Sequence, residues 1–392
     1  MTASAETANP ARTFTARERA LSLAAVIAAS FGVGLAFGIG FPLTSLTLEA
    51  WDAPKWVLGV AGAAPSVAVL MVLPFLPALV GRVGAVPAIA WGCFIAALGF
   101  LALSTVTSAA AWIAIRFVMS AGIALPWLVG ETWINTVSTD GTRGRIIALY
   151  AIAFFSGFAA GPALLSVLGD GMLPFVAGAL ATALAGVPIV LARHLAPDLT
   201  HDKPIETGAA LRLAPIGMIG GFIGGFAEIS YISLLPNVAL ASGTSEADAL
   251  HLLTMLSIGG GLLQFPLGWL ADKFNKASIS ILLAISFVVI SAFLPWALGR
   301  PVIAPTMAFF LGGVVLGFYT VGLSIVGEQV SAKDIAAANA AFLVMYQAGA
   351  ILGPLAAGVA MSFDPITGFI VTVSALMLLS VLALYAFSRP KR

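Results

Sequence analysis

Two charged side chains stand inside long apolar runs, and they are the first place to look for chemistry. Glu228 lies about fourteen residues into a run that begins near 213, roughly 21 Å along a helix at 1.5 Å per residue. Arg116 lies about seven residues into a run that begins near 109. A charge at bilayer depth costs about 2.5–3.5 kcal/mol on insertion scales, so it is expected to face a cavity, meet an opposite charge or carry a proton. Desolvation disfavours the ionised form of a carboxyl, and a group that binds and releases H⁺ as its surroundings change is what proton coupling requires. Glu228 therefore reads as a coupling or substrate-contacting residue; the alternative is a structural carboxyl hydrogen-bonded between helices. Arg116 reads as a partner for Glu228 or a contact for an anionic substrate; the alternative is a side chain snorkelling to the nearer interface.

On a helical wheel Arg116, Ser120, Trp127 and Glu131 fall within about 60° of one another, a polar stripe suited to a water-lined pathway. Tyr231, Gln264, Tyr319, Tyr346 and Gln347 are further candidate cavity liners, each with helix–helix packing as the plainer alternative. A second group sits near segment ends: Glu131 and Glu328, with Arg82, Arg143 and Arg145 near the first and Asp272, Lys273 and Lys276 near the second. Ion pairs among them are expected to latch a cytoplasmic gate; the alternative is solvated helix-end charges worth about 0–1 kcal/mol each.

The elements that position these residues follow from composition. Only 9% of the 392 residues are charged and 60% are hydrophobic, against about 25% charged in soluble domains. That excludes a soluble enzyme, a nucleic-acid binder and a disordered chain; the net charge of +1 offers no field for nucleic acid. A bilayer is the solvent that fits. A spanning helix with a short loop takes roughly 30 residues, which gives about a dozen spans. Apolar segments fall near 20–48, 55–81, 86–105, 109–136, 146–168 and 172–192, then near 213–241, 248–270, 278–298, 302–327, 336–361 and 365–387. They must be helices, because hydrocarbon offers no partner for backbone N–H and C=O groups. The expectation is an all-α membrane protein with a cytoplasmic arm (1–19), a six-helix bundle (20–192), a polar cytoplasmic linker (193–212), a second six-helix bundle (213–387) and a cytoplasmic tail (388–392). With both termini inside, fifteen of the 18 Lys and Arg residues fall on the cytoplasmic side, Lys55 and Arg300 outside, and Arg116 within a span.

The halves repeat each other. Leu128-Val129-Gly130-Glu131 matches Ile325-Val326-Gly327-Glu328, and Gly157-x-x-x-Gly161-Pro162 matches Gly349-x-x-x-Gly353-Pro354. Parallel six-helix repeats place a site near the midplane between halves. The loop Gly268-Trp269-Leu270-Ala271-Asp272-Lys273-Phe274-Asn275-Lys276 resembles the G-x-L-A-D-R-x-G-R-K signature of the major facilitator superfamily, with Asn275 in place of a glycine. The matching loop in the first half keeps Arg82 and Gly84 but has Gly81 at the Asp position. Arg116-x-x-x-Ser120-x-Gly122 resembles the family's R-x-x-x-G element, and Leu234-Leu235-Pro236 with Gln264-x-Pro266-x-Gly268 looks like its YcaD-type branch. The resemblance covers the whole chain. It implies two bundles in alternating access, a coupling role for Arg116 and a gating role for Asp272 and its basic neighbours. Gly157, Gly161 and Pro162 are similar to the core of the family's antiporter signature, although Ala163, Leu164 and Leu165 replace its trailing glycines. Gly349, Gly353 and Pro354 form the second packing and kink set.

The expected function is secondary active transport of a small organic solute, with H⁺ as coupling ion and export as direction, as in the family's drug and metabolite exporter branches. Proton-coupled uptake of an organic anion, and a receptor or scaffold that no longer transports, are the alternatives. No nucleotide-binding G-x-x-x-x-G-K-[ST] and no catalytic Ser/His/Asp set occurs, so an enzyme is not expected. A single Cys93 and the scattered His194, His201 and His251 point to no metal, and no cofactor is expected. The partners are a small-molecule substrate, H⁺ and the lipid bilayer. A monomer in a bacterial inner membrane is expected.

Overall fold

The computed structural model describes residues 14–139, 141–199, 208, 211–331 and 334–388. Most of the expected arm, much of the linker and the tail lie outside them, with Arg12, His201, Lys203, Lys333 and Arg389. Among the described residues twelve long helices account for most of the chain. The first half holds α1 (Ala16–Ala50), α2 (Lys55–Val83), α3 (Ala85–Leu103), α4 (Ala109–Val137), α5 (Arg143–Leu168) and α6 (Leu173–Leu191). The second holds α7 (Pro215–Ala241), α8 (Glu246–Lys273), α9 (Lys276–Ala297), α10 (Ile303–Gln329), α11 (Ile335–Met361) and α12 (Pro365–Ser388). Eleven are long and apolar enough to cross a membrane, and the described side chains of α12 form a shorter apolar helix, Pro365–Ser380.

Local chemistry fixes the helix ends. Thr15 and Glu18 form a capping box at α1: Glu18 N–H donates to Thr15 Oγ1 and Thr15 N–H to Glu18 Oε2. Ser245 caps α8 by accepting from Asp248 N–H. Asn275, the departure from the signature loop, caps α9 by accepting from Ser278 N–H at 3.1 Å. A 3₁₀ turn, Leu73–Phe75, interrupts α2 beside Pro74 and Pro77. Gly84, at φ +86°, carries the chain from α2 into α3 in a conformation closed to most side chains.

The two halves pack alike. α1 lies on α5 and α6, α2 on α4, and α3 on α4 and α6; α7 lies on α11 and α12, α8 on α10, and α9 on α10 and α12. The same exchange relates the principal contacts between halves, α2 with α11 and α5 with α8. Backbones touch at the small residues. A Cβ built on Gly157 would stand 2.1 Å from Phe31 O, and one on Gly161 would stand 2.3 Å from the Gly38 carbonyl carbon. In the second half, Gly349 and Gly353 hold the same relation to Phe222 O and Phe226 O, at 1.9 and 2.3 Å. Such contact replaces the hydrophobic drive that lipid does not provide. The start of the linker is docked: Leu195 and Leu199 are buried, and Leu195 O accepts from Ser22 Oγ, which in turn accepts from Trp133 Nε1.

Candidate functional site

The helices alternate in direction, so α1 begins and α12 ends on one side, called here the terminal side. On the opposite side the halves are sealed. Built Cβ atoms on Gly59 and Gly62 of α2 would fall 2.3 Å from Pro354 O and 2.8 Å from Ser233 Cβ, respectively. Asn237 Nδ2 of α7 donates to Ser45 O and to Glu49 Oε2 of α1, at 3.2 and 2.9 Å. Glu49 also pairs with Lys55.

Between the middle and the terminal side lies a cavity of about 370 Å³ walled by both halves. Trp127 and Glu131 come from α4, Phe154 and Phe155 from α5, Glu228 from α7, Gln264 from α8, Tyr319 from α10, and Tyr346 and Gln347 from α11. Glu228 Oε2 accepts from the Tyr346 hydroxyl at 2.7 Å. Glu131 Oε1 accepts from Trp127 Nε1 at 3.0 Å. Tyr346 meets Tyr319 edge-to-face at 5.5 Å, and Phe37 meets Trp127 likewise at 6.1 Å. The first half thus presents a carboxylate held by an indole, and the second a carboxylate held by a phenol.

Several expectations are corrected. Tyr231 does not line the cavity: its hydroxyl donates to Ser291 Oγ at 2.8 Å and its ring packs on Phe287 and Phe369 inside the second half. Ser120 is buried and is not part of the lining of this cavity. Arg116 is fully buried and is not joined to Glu228. It sits with Thr44, Ser45, Leu58, Gly62 and Ser233 in a tight space on the sealed side, 5.1 Å from the centroid of Phe41. Phe41 also lines the central cavity and so stands between the two. Among the described residues no atom accepts a hydrogen bond from the guanidinium. The wheel that grouped Arg116 with Glu131 was sound, but a ring on α1 partitions the stripe.

The gate group also disperses. Glu131 lies six residues, about 9 Å, inside the end of α4, so it reaches the cavity wall and does not pair with Arg82, Arg143 or Arg145. Lys276 pairs with Glu328, joining α9 to α10 within the second half, so this pair does not bridge the halves. Lys273 lies over the Trp269 ring at 4.1 Å, and Asp272, Arg82 and Arg145 are exposed. Sequence reasoning passed over Asn237, Glu49 and Phe41. An Asn directly after Pro236 in an apolar helix was the available signal for the first.

A two-bundle, twelve-helix membrane protein with a cavity between its halves has the architecture of a secondary transporter. The chain belongs to the major facilitator superfamily. Residues 217–392 match the family described as Major Facilitator Superfamily, and residues 3–173 match the MFS_1 like family. An "Uncharacterized MFS-type transporter YcaD" of Escherichia coli (strain K12 / DH10B) is 32% identical over 267 residues, 67% of this chain and 68% of the relative. The YcaD protein of Salmonella enteritidis PT4 (strain P125109) is 28% identical over 326 residues, 82% of this chain and 84% of the relative. Among solved structures, the fold is shared with the nucleoside transporter NupG (TM-score 0.73, 16% identity, 93% of this chain and 98% of that one). It is also shared with a bacterial homologue of the lysosomal transporter Spinster, inward-facing and unoccupied (TM-score 0.76, 14% identity, 95% and 97%). The chain is thus an integral membrane transporter of this superfamily and not an enzyme.

Proposed function

We propose that the protein is a proton-coupled exporter of small organic solutes, with Glu228 as the coupling carboxyl and Glu131 as its counterpart in the other half. The observation that carries this reading is the convergence of the two carboxylates, one from each half, on a single cavity between bundles. Alternating access requires substrate and proton to stabilise the two states differently. A carboxylate on each moving body is placed to feel that change. Glu228 is held on one oxygen by Tyr346, which leaves its other oxygen for a proton or a ligand. The terminal side is taken as cytoplasmic from the excess of Lys and Arg there, so this conformation is inward-facing, with Asn237, Glu49 and the Gly59–Pro354 contact closing the outside. Uptake of an organic anion through Arg116 finds no support, because Phe41 separates that guanidinium from the cavity. Asp272 and its basic neighbours are proposed to act at the cytoplasmic mouth, by contact with lipid headgroups and loops and not as a latch between halves.

The test is proton release or uptake by purified protein across pH 5–9 as a panel of organic compounds is added, wild type against Glu228→Gln. Ligand-induced proton movement that vanishes in the variant supports coupling through this carboxyl. Movement unchanged in the variant removes Glu228 from the role.

A further inference from the structure

We infer that the central cavity selects amphipathic organic cations. This rests on the transport reading above and assigns its substrate class. The ionisable side chains lining the cavity are Glu131, Glu228, Tyr150, Tyr319 and Tyr346; among the described residues no Lys, Arg or His does so. The single cation at membrane depth, Arg116, is withdrawn behind the Phe41 ring. A solute in the cavity therefore meets two carboxylates and no compensating positive charge. Much of the remaining wall is aliphatic, and it also carries aromatic rings from both halves: Phe37, Trp127, Phe154 and Phe155 from one, Tyr319 and Tyr346 from the other. Ring faces attract cations, most strongly where water is excluded. The volume of about 370 Å³ falls in the range of about 300–1,000 Å³ typical of small-molecule sites.

The polar contacts refine the class. Each carboxylate has one oxygen engaged inside the wall, by Trp127 or by Tyr346. The free oxygens sit on opposite bundles, so a ligand with one positive centre in an apolar or aromatic body bridges the halves through charge and ring contacts together. An anion of the same shape meets repulsion from each ionised carboxylate and only neutral donors, such as Tyr319, Gln264 and Gln347. The charge of the solute, more than its shape, decides entry.

The test uses two probes of nearly equal size and opposite sign, tetraphenylphosphonium and tetraphenylborate, with purified full-length protein. Binding is measured by equilibrium dialysis and by the fluorescence of the tryptophans. The phosphonium is expected to bind at least about thirtyfold more tightly than the borate. Glu131→Gln and Glu228→Gln are each expected to weaken phosphonium binding about tenfold, while Glu131→Asp retains most of it. Elution volume and helical content confirm that the variants fold; if a Gln variant does not, Tyr346→Phe and Trp127→Leu take its place as changes in the same wall. Equal or stronger binding of the borate overturns the inference, as does phosphonium binding insensitive to both substitutions, or no phosphonium binding at all. Proton release on adding phosphonium separates the two readings. Cation-selective binding without proton release refutes coupling and leaves the substrate class standing. Proton movement driven by an anionic or neutral compound, with no cation preference, does the reverse.

Discussion

The contact between Asn237 and α1 gives the sharpest conformational prediction. Asn237 Nδ2 donates to a main-chain oxygen, Ser45 O at 3.2 Å, and to a carboxylate, Glu49 Oε2 at 2.9 Å. A neutral hydrogen bond contributes about 0.5–1.5 kcal/mol net and one to a charged group about 1.5–3. Both bonds cross from one half to the other, so both must break when this side opens. The gross stabilisation of the sealed state is then about 2–4 kcal/mol. Against it stands Asn237 Oδ1, buried and without a partner among the described residues, at a cost of about 1–2 kcal/mol that substitution relieves. Asn237→Ala should shift the equilibrium towards the open form by the difference, about 1–2 kcal/mol, or about five- to thirtyfold. Asn237→Asp should shift it further, because it sets a like charge beside Glu49. The assay is pulsed electron resonance between spin labels at Asp52→Cys and Ala241→Cys, exposed positions on the two halves, in a Cys93→Ser background. The longer-distance population should grow in the order wild type, Asn237→Ala, Asn237→Asp. An unchanged distribution, or growth of the short distance, would refute the assignment of these bonds as a clasp.

Four further outcomes follow from single contacts. Gly225→Ala should cost about 1–3 kcal/mol in thermal unfolding and lower transport, because its methyl would meet Tyr346 O at 2.0 Å and force α7 from α11 beside Glu228; a silent substitution would contradict that packing. Tyr231→Phe should cost about 1 kcal/mol by leaving the buried Ser291 hydroxyl without its donor, with ligand binding intact; a loss of binding at full stability would return Tyr231 to the cavity. Lys276→Ala should change stability by less than about 1 kcal/mol, since Glu328 is 63% exposed and both ends belong to one half; a large shift in the state populations would show that the pair does more than join α9 to α10. Asp364 accepts Thr367 N–H at 2.5 Å at the start of α12, which holds its carboxyl below the usual aspartate value. Its contribution to stability is therefore complete above about pH 3.9 and is lost as pH falls through the depressed value; carboxyl NMR should place its midpoint below that of a free aspartate.

What the sequence revealed, and where it stopped, has a physical pattern. The repeat was legible because both members of each pair persist: Gly157 with Gly349, Gly161 with Gly353. Glu228 was legible because a lone carboxylate in an apolar run is conspicuous wherever the helix points. Glu131 was legible in part: the helical wheel sets it with Trp127 on a stripe suited to a pathway, while its place near a segment end points to a gate. The segment 109–136 already set it inside the end of α4, close to the observed end at Val137; what the sequence does not show is that the facing helices leave a cavity at that depth. Arg116 and Tyr231 lie away from the cavity for another reason. A wheel gives the direction of a side chain on its own helix but not what another helix lays over it. Phe41 of α1 covers the first, and Phe287 and Phe369 enclose the second. Asn237 went unnoticed because its meaning depends on Glu49, 188 positions away.

The face of α1 that carries Phe41 ties the sealed side to the cavity. Phe41, Ser45 and Glu49 follow one another at intervals of four, so they lie along one stripe of a single helix, with Pro42 beside the first of them. At one end of the stripe Glu49 and Ser45 hold Asn237; at the other Phe41 separates Arg116 from the two carboxylates. A tilt of α1 against α7 that breaks the first contact is expected to reach the ring one turn away. The clasp and part of the cavity wall are thus built on one helix, so Asn237→Ala is expected to alter the surroundings of Phe41 as well as the contact itself.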